Sequence, residues 1–177
     1  MNHELFLMRH AKSDWSQNCS DFERRLSKRG RRSAKRIGRW IKKQQIRPQK
    51  ILVSPAHRAL KTAELLCQEA SIKAEAIEII PEIYQASEED LYRLLRQVPD
   101  KFESVIIIGH NPSLEGLLKS LVINAPLIPE NGKLLPTASV AHITIPPNWH
   151  TLALKQGFLH SITRPRSLFH TTETERN

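Results

Sequence analysis

Four short apolar runs in the 177-residue chain lead directly into side chains that can do chemistry. Leu5-Phe6-Leu7-Met8 is followed by Arg9-His10, and Ile51-Leu52-Val53 by Ser54-Pro55, with Arg58 a little further on. Ile77 to Ile80 leads into Pro81-Glu82, and Val105-Ile106-Ile107-Ile108 into Gly109-His110. Two arginines, two histidines and a glutamate together suit a phosphoryl group. A phosphate monoester carries about −1.5 to −2 charge at neutral pH, and the planar fork of arginine can hold two of its oxygens at once. A neutral imidazole is a competent nucleophile toward phosphorus, and surrounding cations keep it unprotonated. Glu82 is the candidate acid for the leaving group. Lys12 and Ser13, beside His10, are candidates for a substrate loop.

These groups meet only if the apolar runs are neighbouring strands. Continuous apolar runs are what strands buried on both faces require. Between them, Ser27 opens a helical pattern that puts Gly30, Ala34, Ile37, Gly38 and Ile41 on one face. Two glycines weaken a helix, so they predict close packing against a neighbour. Ser54-Pro55 reads as an N-cap and first-turn proline for a helix over 56–69. Further helices are predicted over 87–98 and from Asn111 to Val122, with a loop over 124–138. Val140–Ile145 and Thr151–Leu154 read as a terminal hairpin joined through Pro146-Pro147-Asn148. The alternation predicts a three-layer α/β/α sandwich with a mostly parallel central sheet. In such sheets ligands bind beyond the carboxyl ends of the strands. Residues 1–164 are expected to form one domain, and 165–177 a polar, frayed tail.

The charge excludes less than it first suggests. With 27 basic and 18 acidic residues the net charge is +9, a balance that fits nucleic acid or an anionic small substrate. Residues 24–50 hold 13 of the basic side chains and no acid, so the remainder is net −4. This basic segment is a solvated helix face or a surface that steers anions. Direct nucleic-acid binding is the weaker reading, because no zinc-finger, RRM-type or helix-turn-helix pattern accompanies it. Two cysteines without paired spacing fit a reducing cytoplasm. No apolar run approaches the ~18 residues of a membrane span. No HxH pair or Cys/His spacing argues for a metal, and nothing calls for a cofactor.

Three ordered motifs resemble the histidine phosphatase superfamily: Leu7-Met8-Arg9-His10-Ala11-Lys12-Ser13, then Ser54-Pro55-Ala56-His57-Arg58-Ala59 with Thr62-Ala63-Glu64, then Ile108-Gly109-His110-Asn111-Pro112. The chain is most similar to its small SixA-like branch of phosphohistidine phosphatases. The resemblance implies a phosphoglycerate-mutase-like fold and a transient phosphohistidine. By that match His10 is the nucleophile, Arg9, Arg58 and His110 bind phosphate, and Glu82 falls where many members place the acid. Ala11 stands where the family's commonest motif has glycine. The chain also lacks the long insertions that cover the substrate in larger members, so a phosphoprotein and a small phosphate ester both remain open as partners. The expected activity is metal-independent hydrolysis. The alternatives are a non-catalytic phosphate-binding module of the same fold and, less favoured, a basic nucleic-acid-binding protein.

Overall fold

A computed structural model describes residues 1–130 and 132–169 of the chain. Six strands form one sheet: β1 (His3–Arg9), β2 (Lys50–Val53), β3 (Ile77–Ile79), β4 (Ser104–Gly109), β5 (Val140–Ile145) and β6 (Phe158–Thr163). Their order is β3-β2-β4-β1-β5-β6. The first four run parallel, and β5 and β6 are antiparallel additions at the far side. Four helices complete the expected mixed α/β fold: α1 (Lys28–Lys43), α2 (His57–Ala70), α3 (Glu88–Leu95) and α4 (Ser113–Leu121).

The apolar runs are continuous because both sheet faces are covered. In β1, Leu5 and Leu7 join one buried cluster with residues of α3 and α4, while Phe6 and Met8 join another with α1 and α2. Successive side chains on a strand point to opposite faces, so alternate residues serve alternate layers. Helix α1 buries the five residues its periodicity predicts, and the Ser27 hydroxyl accepts from the Gly30 backbone N–H at 3.0 Å. Both glycines are pressed against backbone. A Cβ on Gly30 would lie 2.0 Å from the Lys12 carbonyl oxygen, and one on Gly38 would lie 2.6 Å from that of Leu66.

Three expectations need correction. Ser54 is not the N-cap of α2. That helix begins at His57 and its N-cap Ala56 makes no side-chain bond, while the Ser54 hydroxyl accepts from the Ala56 backbone N–H at 3.3 Å and also meets His110. The partner of β5 is Phe158–Thr163, not Thr151–Leu154. The alternation in the latter segment has another cause: Leu152 and Trp149 are buried under α3, where the Tyr92 hydroxyl donates to the Leu152 carbonyl. Finally, the chain after β6 is not frayed at Pro165. Pro165–Phe169 form a 3-10 turn against α1, with Pro165 buried and Arg36 donating to its carbonyl at 3.4 Å. The rest of the expected tail, 170–177, lies outside the described residues. Among the described residues no helix is long and apolar enough to cross a membrane.

Candidate active site

Strand order decides which side chains meet. Arg9 pairs in register with Gly109, and Val53 with Ile108, so β2, β4 and β1 end side by side. The His10 backbone N–H donates to the Gly109 carbonyl, and that of Ser54 to Ile108. His10, His110 and the start of α2 therefore open onto one cleft. Its two adjoining cavities, about 630 and 250 Å³, share Arg9, His10, Asp21 and Arg58.

His10 lies at the bottom, 8% exposed. Its Nδ1 sits 2.7 Å from the Ala11 carbonyl oxygen. A carbonyl can only accept, so Nδ1 carries the proton and Nε2 keeps its lone pair. Arg58 Nε, 3.3 Å away, donates to that lone pair. Burial pushes the His10 pKa down to about 3, with His110, Arg58 and Arg9 adding to the effect and the Ala11 bond opposing it. The group is thus a neutral imidazole. Ala11 fits without strain: it is fully buried, its backbone is not left-handed, and its N–H donates to Thr62 Oγ1 at 3.0 Å. Thr62 donates in turn to the Arg58 carbonyl at 2.7 Å. The turn after β1 is thereby tied to the first turn of α2.

His110 is held in the complementary way. Arg58 Nη2 approaches its Nδ1 at 3.5 Å, leaving Nε2–H to donate to Ser54 Oγ at 2.7 Å. Its pKa falls to about 4, through burial first and then the Arg58 charge. The two imidazole rings lie 5.1 Å apart. Arg9 donates to the Leu135 carbonyl at 3.3 Å, while its buried Nε has no partner. Lys12 and Ser13 both line the larger cavity, as expected of a substrate loop.

Glu82 is the expectation the geometry does not gather in. It is exposed in the 3-10 turn Pro81–Ile83 and lines neither cavity. It follows β3, the sheet edge, with β2 and β4 between it and β1. Two residues on, Tyr84 and Gln85 line the smaller cavity instead. Among the described residues the carboxylate that lines both cavities is Asp21, from the loop before α1. Its Oδ2 accepts from Arg58 and from the Tyr84 hydroxyl, each at 2.9 Å, and Arg24 pairs with Oδ1 at 3.1 Å. Partial burial disfavours the Asp21 charge, but these bonds and cations outweigh it and hold the carboxyl below its ordinary range. Nothing in the sequence marked Asp21, which sits in a polar loop without periodicity. Ser54 was visible but was assigned to a helix cap.

A buried neutral imidazole beside Arg9 and Arg58, at the carboxyl ends of a parallel sheet, has the charge and geometry to receive a phosphoryl group. Residues 5–105 match the histidine phosphatase superfamily (branch 1), and the chain belongs to it. Within it, the chain is similar to the phosphohistidine phosphatase SixA of Escherichia coli (strain K12), 27% identical over 144 residues that cover 80% of this chain and 85% of that protein. The fold superimposes on a structure from Agrobacterium tumefaciens provisionally assigned as phosphohistidine phosphatase SixA, with TM-score 0.79, 25% identity, and coverage of 93% of this chain and 99% of that one. A structure of the protein histidine phosphatase SixA complexed with tungstate gives TM-score 0.76 at 23% identity, with 93% and 99% covered. These comparisons support a phosphatase.

Proposed function

We propose that the protein hydrolyses phosphorylated substrates, a phosphohistidine protein or a small phosphate ester, through a covalent phosphohistidine on His10. The observation that carries this reading is the unprotonated Nε2 of His10, which accepts from Arg58 Nε at 3.3 Å and lies in the cleft with Arg9 and His110. In the first step Nε2 forms a bond to phosphorus while the bond from phosphorus to the leaving oxygen or nitrogen breaks. Arg9, Arg58 and His110, once a proton taken up at Nδ1 makes it a donor, hold the equatorial oxygens as charge spreads over them. The phosphoryl charge is met by guanidinium groups, so no metal is required for it.

Asp21 fits the acid role better than Glu82. A phosphate that takes over Arg58 displaces the Asp21 carboxylate from its cation and leaves it facing a dianion, which raises its affinity for a proton. That proton passes to the leaving atom. In the second step water attacks the phosphohistidine, loses a proton to Asp21, and releases phosphate with Nε2 restored.

The test is incubation with a phosphate ester in EDTA, followed by assay for an acid-labile, alkali-stable phosphoenzyme. The adduct is expected in the wild-type protein and absent from His10→Ala. An adduct that survives His10→Ala, or none at all, contradicts the mechanism. Asp21→Asn is expected to slow turnover about 10²-fold, within the range of general acid catalysis, while Glu82→Gln leaves it within a factor of two or so. The reverse pattern would return the role to Glu82.

A further inference from the structure

The transferred phosphoryl group accounts for only part of the cleft. It belongs where the two cavities meet, at Arg9, His10 and Arg58. The larger cavity, about 630 Å³ in all, extends beyond it and is within the usual range for a small-molecule pocket. Its walls carry Lys12, Arg29, Arg164 and Arg166, besides the cations already described, and the one acid among the described residues lining it is Asp21. None of these four has a carboxylate partner among the described residues. The buried Nε of Arg164 has no hydrogen-bond partner at all.

Folding does not explain this arrangement. The first turn of α1 contains no acid and carries Arg29, where the helix dipole favours negative charge. Farther along the same helix Lys35 and Arg39 pair with Glu69, and Lys42 donates to Ser71. Arg29, which walls the cleft, has no such carboxylate among the described residues. Arg164 and Arg166 are brought opposite it by the turn in which Pro165 is buried and bonded to Arg36. Like charges crowded in a concave site repel one another, and a bound anion relieves that repulsion.

We propose that the larger cavity is a second anion site, and that the substrate is a small molecule carrying a further phosphate group on its leaving portion. The inference rests on the phosphatase reading above and narrows its substrate class. Arginine forks suit a dianion, and these cations line a cavity continuous with the phosphoryl site at Arg9, His10 and Arg58. A protein partner would instead need roughly 800 Å² of matching surface.

The experiment compares phosphate release from fructose 1,6-bisphosphate, fructose 6-phosphate and a phosphohistidine-bearing protein, using the full chain and its Arg29→Ala/Arg166→Ala variant. Both positions are exposed, and thermal unfolding checks that the variant is folded. The bisphosphate is expected to exceed the monophosphate at least tenfold in kcat/KM. In the double variant that ratio should fall about 10- to 100-fold, one decade for each charge-assisted bond lost, with partial recovery in Arg29→Lys/Arg166→Lys. Equal rates for the two sugars, an unchanged ratio in the variant, or a phosphohistidine protein preferred over both would overturn the proposal. Calorimetric binding of the same two sugars to His10→Ala reads the second site without turnover. Bisphosphate selectivity there, with no hydrolysis by the wild-type protein, would refute the phosphatase reading and leave the anion site standing.

Discussion

Each of the three Arg58 nitrogens is already engaged within the protein. Its Nε points at His10, Nη2 is shared between Asp21 and His110, and Nη1 donates to the Asp21 carbonyl. Substrate must therefore displace Asp21, and Asp21 competes with product for the same guanidinium. Asp21→Asn is expected to bind inorganic phosphate about tenfold more tightly, the value of one charge-assisted bond, as read by inhibition of ester hydrolysis. Weaker inhibition would show that Asp21 assists phosphate binding. Acid sensitivity follows from the two histidines. Their folded-state pKa values, about 3 and about 4, lie below the ordinary 6.5. As pH falls through 6.5 the unfolded chain takes up protons that the folded chain refuses. Stability is full above that point and declines toward pH 4. The urea midpoint should drop between pH 7 and 4.5, and drop less steeply in His10→Asn. A midpoint that rises on acidification would contradict the assignment of neutral buried imidazoles.

The elements act on the site through backbone contacts that tolerate no side chain. Gly30→Ala puts a methyl group into the Lys12 carbonyl. The helix and the substrate loop must then part, at a cost of about 1–3 kcal/mol. Gly38→Ala imposes a similar cost between α1 and α2 but acts at Leu66, remote from Lys12. Denaturant midpoints should fall for both, and kcat/KM should fall further for Gly30→Ala. Equal activity in the two would mean that the loop repositions freely. The faces of α1 and the ends of β1, β2 and β4 were legible because helix periodicity and buried apolar runs are local properties. Strand order is not local. Nothing in Ile77–Ile80 announced that its strand would be the sheet edge, or that the chain after it would present Tyr84 and Gln85 rather than Glu82 to the cleft. Leu152 shows the same limit, since alternation alone does not distinguish a strand from a loop whose apolar residues are buried by a helix. Asp21 and Arg164 reach the cleft from irregular segments, where no pattern marks their direction.

At the scale of the molecule the cleft gathers Arg9, Lys12, Arg58, Arg164 and Arg166 from a remainder that is net −4 outside residues 24–50, and adds Arg24 and Arg29 from within that segment. Encounter with anionic substrate should be fast at low salt and screened as the Debye length shrinks from about 30 Å at 0.01 M to about 8 Å at 0.15 M. We expect kcat/KM to fall across that range while kcat changes little. A flat salt profile would mean that the cleft does not steer. The placement of Arg164 and Arg166 has one further consequence. They follow the last strand of the sheet, and neither contributes to the buried clusters on its faces. His10 and the two arginines beside it, by contrast, sit at the end of β1 and in the first turn of α2, elements that the core holds. Substitution of Arg164 and Arg166 is therefore expected to change which molecules are accepted without rebuilding the centre around His10.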